Sequence, residues 1–159
     1  LDKEEIVISE VLKFKSSMSL EERAEIFEKR MQQINDHHVI YDVFVEQPAM
    51  MFRGGKTTAF TMATLQRFNG MTCYIAYKVF EMEAELVNPL SARSVLGIKV
   101  PRGIPPKDKK RFIIERMAER FDGSFKYEMT RQQNPQPGTD DRADALVVAL
   151  AGPLLFHEE

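Results

Sequence analysis

The stretch Asp141-Arg142-Ala143-Asp144 sets two carboxylates three residues apart, just ahead of Ala145-Leu146-Val147-Val148-Ala149-Leu150, which is apolar throughout. On a helix, positions i and i+3 share a face, with Cβ atoms about 5–6 Å apart. The apolar continuation marks a buried helix. Two acids near its start repel each other and resist desolvation unless a cation compensates them. A hard divalent ion can do this, and Mg²⁺ uses one or two carboxylates and fills its shell with water and phosphate oxygens. The competing reading is a pair of acids that satisfy the helix dipole at a solvent edge.

Glu46 closes the otherwise mostly apolar run Val39-Ile40-Tyr41-Asp42-Val43-Phe44-Val45-Glu46. An acid at the end of such a strand is rarely buried without a partner, and strand ends in α/β sheets border the crevice where ligands bind. Alone, Glu46 also reads as a surface acid. Together with Asp141 and Asp144 it could clamp two metals about 3.5–4 Å apart, for in-line attack of water on a phosphodiester.

Charge supports a polyanionic substrate. The chain has 159 residues with 22 basic and 24 acidic side chains, yet residues 93–111 hold Arg93, Lys99, Arg102, Lys107, Lys109, Lys110 and Arg111 against Asp108 alone. Such a segment can neutralise phosphates through counterion release, although a solvated helix face would read the same way. Gly54-Gly55-Lys56-Thr57-Thr58 has the context of a phosphate-binding loop, but Met50 stands where its first glycine is needed and Pro48 disturbs the cradle. Arg53 and Lys56 are therefore read as contacts to a DNA phosphate, and Met50-Met51-Phe52 as core residues or a wedge between bases. His37, His38 and His157 are too scattered for zinc, and Cys73 has no CxxC partner and reads as packing.

These groups need a scaffold. Ile6-Val7-Ile8 and Val11-Leu12-Lys13-Phe14 predict short strands. Ser19-Leu20-Glu21-Glu22 fits a helix start, and the spacing of Leu20, Ala24, Phe27, Met31 and Ile34 carries that helix to about Asn35. Residues 39–46 predict a central strand of a covered sheet, stopped by Pro48. A long helix follows through Phe60, Ala63, Leu65, Phe68, Met71, Ile75 and Val79, with Gly70 as a close packing point. Residues 85–88 predict a strand and residues 91–96 a helical turn. Pro105-Pro106 opens a helix with Phe112, Ile113, Met117 and Phe121 inside, residues 134–138 form a loop, and a last helix spans about 140–150. The order gives one α/β domain over residues 1–159, a mixed β-sheet with helices on both faces.

One cysteine excludes an internal disulfide framework and suits a reducing compartment. The longest apolar run, residues 145–156, is below the roughly 18 needed for a membrane span. With no secretory pattern visible, a cytoplasmic setting in a bacterial or phage-infected cell is expected, an organelle being the other option.

Two stretches carry a resemblance to the RuvC-type Holliday-junction resolvases of the RNase H-like superfamily. Val43-Phe44-Val45-Glu46-Gln47 is similar to the family's strand ending in a catalytic Glu-Gln. Asn134-Pro135-Gln136, running into Asp141-Arg142-Ala143-Asp144-Ala145-Leu146, is similar to its terminal D-x-x-D-A-L helix. The layout follows the family over about residues 6–152, and only these two motifs are specific. The resemblance implies an RNase H-like fold and a homodimeric endonuclease of DNA recombination and repair, hydrolysing branched DNA with Mg²⁺, Mn²⁺ substituting. It makes Glu46, Asp141 and Asp144 catalytic metal ligands, and sets Lys109 or Lys110 near the scissile phosphate. The long helix after Gly55 would be the dimer interface. The family's first strand, ending in another metal-binding Asp, has no match here, so it is expected upstream of Leu1. A non-catalytic junction-binding homologue and, less favoured, a P-loop nucleotide hydrolase are the alternatives.

Overall fold

The computed structural model describes residues 4–49 and 58–157. Its element order is α1 (Leu20–His37), β1 (Phe44–Glu46), α2 (Ala59–Phe80), β2 (Glu85–Val87), α3 (Pro89–Val95), α4 (Pro106–Arg120) and α5 (Thr139–Phe156). The protein is mixed α/β, with two compact units: Leu12–Asn88, and Leu1–Val11 together with Pro89–Glu159.

In the unit Leu12–Asn88, β1 and β2 pair in parallel, with Phe44 opposite Glu85, Val45 opposite Leu86 and Glu46 opposite Val87. A parallel pair needs a crossover, and α2 supplies it. The Gln47 amide donates to the Val87 carbonyl at 2.8 Å, which extends the pairing one step past Glu46. Ser19 caps α1, its hydroxyl accepting from the Glu22 amide at 3.1 Å, and Thr58 caps α2 through the Thr61 amide. Helix α1 packs on α2, where Asn35 donates to the Val79 carbonyl and Lys78 bridges Glu28 at 2.6 Å. Phe14 meets Phe68 edge to face with centroids 6.0 Å apart. Ala24, Met62, Ile75, Ala76 and Val87 are the buried apolar residues here.

The other unit is built on α5. Helices α3 and α4 both pack against it, burying Ala92, Ile113, Ile114, Met117, Ala143, Val147, Val148 and Ala151. Proline at the first position of α4 suits a helix start, because its missing amide would have no intrahelical acceptor there. Residues 4–11 are held to this unit by side chains. Glu4 takes two hydrogen bonds from Arg120, at 3.0 and 3.1 Å, and Arg142 donates to Ser9 at 3.0 Å.

Several sequence expectations need correction. Residues 6–8 and 11–14 form no strand; β-rich composition fits a ladder, but among the described residues no strand pairs with them. The long strand over 39–46 shrinks to Phe44–Glu46, with Val39 and Tyr41 well exposed, so it is no central covered strand. The sheet among the described residues is two-stranded and parallel, not mixed. Gly70 is not a packing point: a Cβ there would meet nothing within 4 Å. The last helix runs past Gly152 and through Pro153 to Phe156, and its end is closed by the His157 amide donating to the Pro153 carbonyl. Proline removes its own donor but leaves its carbonyl free to accept.

Candidate functional site

Gly138 starts α5 with φ +91°, a conformation that glycine adopts without strain, and a Cβ there would come within 3.0 Å of Val11 Cγ2. This turn sets where the first residues of α5 point. Thr139 is buried and its hydroxyl donates to the Gln136 carbonyl at 2.7 Å. Arg142, between the two candidate acids, turns away to Ser9, to the Lys126 carbonyl at 2.8 Å and over the Phe125 ring at 5.0 Å. It anchors the helix start, and Asp144 has its neighbouring cation on α3 instead, at Arg93.

Asp141 is exposed and Asp144 half-buried. Desolvation, partial at Asp141 and stronger at Asp144, raises both carboxyls from the ordinary aspartate value. For Asp141 the neighbouring Asp140 adds to the rise and Lys110 opposes it. For Asp144, Arg93 is the main opposing charge, while Asp140 and Asp141 reinforce the rise. The positive charge at hand is thus insufficient to offset desolvation. Arg93 Nη2 stands 4.0 Å from Asp144 Oδ1, while Lys110 Nζ stands 2.9 Å from Asp140 Oδ2. Lys110 is held above its ordinary pKa by that hydrogen bond and the Asp140 charge.

Helix α4 brings basic side chains to its own N-terminus. Lys107, Lys109 and Lys110 are exposed within its first five residues, with Asp108 the acid of the first turn. Cations at the positive end of a helix dipole are disfavoured by roughly 0.3–1 kcal/mol each. An anion in front of the helix would remove that penalty. Arg111 is already engaged, donating to Glu115 at 3.2 Å and to the Gln133 carbonyl at 3.4 Å. Of the two lysines that sequence reasoning left open, Lys110 is the one linked to α5.

Glu46 ends β1 in the unit Leu12–Asn88, exposed, with its backbone carbonyl accepting from Asn69 of α2 at 3.0 Å. Asp141 and Asp144 belong to the other unit. Arg53, Lys56, the Met50-Met51-Phe52 wedge and the Gly54–Thr57 part of the phosphate-loop pattern lie outside the described residues. Cys73 is half-buried, its thiol pushed up by burial, which suits packing and not nucleophilic attack.

Among the described residues, no group of three or more His, Cys, Asp or Glu side chains is placed to hold a metal ion. The Asp141–Asp144 turn is a two-carboxylate donor set with hard oxygen ligands, whose desolvation the neighbouring Arg93 and Lys110 only partly offset. That fits an ion completing its shell from water and phosphate. Sequence reasoning missed Asp140 as a partner of Lys110. No spacing in the chain relates positions 110 and 140.

No family model, curated protein or solved structure matches the chain.

Proposed function

We propose that the protein is a Mg²⁺-dependent endonuclease acting on branched DNA, with an RNase H-like architecture of the RuvC type. The observation that carries the reading is the start of α5: Asp141 and Asp144 lie one turn apart with carboxyls raised by burial, while Arg93 and Lys110 stand beside the acids. Carboxylates whose desolvation is only partly offset by Arg93 and Lys110, next to basic side chains at a disfavoured helix end, suit a phosphodiester delivered with a divalent ion.

Asp141 and Asp144 would hold Mg²⁺ or Mn²⁺, and Glu46 joins them on sequence grounds. When bound, Mg²⁺ would stabilise the charge that develops on phosphodiester oxygens. Lys109, Lys110 and Lys107 would bind flanking phosphates, and Arg53, Lys56, Arg93 and Arg111 complete the proposed DNA contacts. The branched substrate rests on the likeness of residues 43–47 and 134–146 to junction resolvases.

A homodimer is part of the proposal. Phe60, Ala63, Arg67, Gly70, Tyr74 and Tyr77 alternate at three and four residues along α2 and are all exposed, Phe60 at 81%. This is the spacing of a helix-pairing seam.

The second reading, a junction binder without catalysis, is separated by a gel shift followed by Mg²⁺ addition. The full-length protein is bound to a labelled four-way junction and to a linear duplex of equal length in Ca²⁺, and Mg²⁺ is then supplied. Tighter binding of the junction with cutting supports the nuclease; junction preference without cutting supports the binder. No preference and no cutting removes both.

A further inference from the structure

The two acid–base contacts at the start of α5 differ in kind. Lys110 and Asp140 are within hydrogen-bond distance at 2.9 Å. Arg93 and Asp144 stand at 4.0 Å, an electrostatic neighbour relation with no hydrogen bond. Their side chains are about one third exposed, 32% for Arg93 and 36% for Asp144, so the guanidinium has solvent on one side into which it can move.

The backbones that carry the pair are firmly placed. Arg93 follows Ala92 and Asp144 follows Ala143, and both alanines are 0% exposed where α3 packs on α5. The Arg93 carbonyl accepts from the Ile98 amide at 2.9 Å, closing the end of α3. The exchange is therefore confined to the long arginine side chain. A guanidinium is also a poor permanent partner here: its fork suits two parallel bonds to a carboxylate, and at 4.0 Å it makes neither.

We infer that Arg93 is a resident counter-ion of Asp144, displaced by an incoming divalent cation and thereby released to take a phosphate oxygen of the substrate. Arg93 has this role only because Asp144 is read as a metal ligand. It is a positioning residue: it shields Asp144 before the ion arrives and helps seat the strand afterwards. Lys110, bonded to Asp140, stays in place.

The test is a calorimetric titration of Mn²⁺ alone into the full-length protein, wild type against R93Q and R93K. R93Q removes a cation that competes for Asp144, so Mn²⁺ binding tightens by roughly three- to tenfold, while R93K stays near wild type. The same R93Q change weakens duplex DNA binding and makes its salt slope shallower by about one. A purely structural arginine would weaken both. In the wild-type protein, Mg²⁺ also shifts the NMR signal of the Arg93 Nε–H group, identified by its loss in R93K; this readout stands if R93Q does not fold. Mn²⁺ affinity unchanged or weakened in a folded R93Q, or an Arg93 signal unmoved at saturating Mg²⁺, overturns the role of Arg93 while leaving the metal site intact. No Mn²⁺ binding by the wild type overturns the metal site and this role together.

Discussion

Lys110 Nζ lies 2.9 Å from Asp140 Oδ2, so one ion pair joins the basic start of α4 to the acidic start of α5. The contact is largely exposed on the lysine side, and exposed pairs contribute at most about 1 kcal/mol. Its weight for stability is small, and its value is one of position: it holds a cation beside Asp141.

Replacing Lys110 separates these two roles. K110A is expected to change unfolding stability by less than about 1 kcal/mol. It should weaken junction binding and make the salt dependence shallower by about one unit. Denaturant melts and gel shifts over a salt series give both numbers. An unaltered salt slope would take Lys110 out of the DNA contacts.

The raised carboxyls of Asp141 and Asp144 predict a pH signature. A folded-state pKa above the unfolded one means the native protein binds more protons across that window, so stability falls as pH rises through it. Above the window the cost is fully present, and below the ordinary aspartate value near ~3.9 it is absent. D144N should therefore melt above wild type at pH 7 without metal, and lose that advantage as the pH falls to the ordinary aspartate value. Mg²⁺ should reverse the order, because only the wild type gains from binding it. Thermal melts at two pH values, with and without Mg²⁺, check the sign. A D144N protein less stable than wild type at pH 7 without metal would show that Arg93 outweighs desolvation.

Gly138 sets the entry to α5 through its positive φ and through Val11, which fills the space a Cβ would need. G138A should cost roughly 1–2 kcal/mol in a denaturant melt. Adding V11A should recover only part of the loss, since the backbone strain persists after the clash is relieved. Full recovery would assign the whole effect to the steric contact.

The seam on α2 predicts assembly. F60E combined with Y74E should shift the protein from dimer to monomer in light scattering, with helix content unchanged. A wild type that is monomeric at micromolar concentration would remove α2 as the interface.

Helices were the legible part of this chain. Ser19 with Glu22, Pro105 with Pro106, and the spacing of Ile113, Met117 and Phe121 are local signals, and α1 and α4 formed where they pointed. Strands were far less legible. Residues 6–8, 11–14 and 39–43 have the composition of strands, but a ladder depends on what lies alongside, which composition does not encode. The same division holds at the site. The i, i+3 spacing of Asp141 and Asp144 could be read from one helix. The nearness of Arg93 to Asp144 and of Lys110 to Asp140 arises from α3 and α4 packing on α5, and nothing in the linear order announces it.

The most direct test is single-turnover cleavage of a labelled four-way junction by the full-length protein in Mg²⁺, for wild type, E46Q, D141N and D144N at matched DNA occupancy. Wild type should cut in a metal-dependent reaction. Each variant should bind the junction but cut it at least about a hundredfold more slowly, since each removes a charge that the proposed centre uses on the reacting phosphate. Cutting by D144N or E46Q at the wild-type rate would contradict the proposed centre.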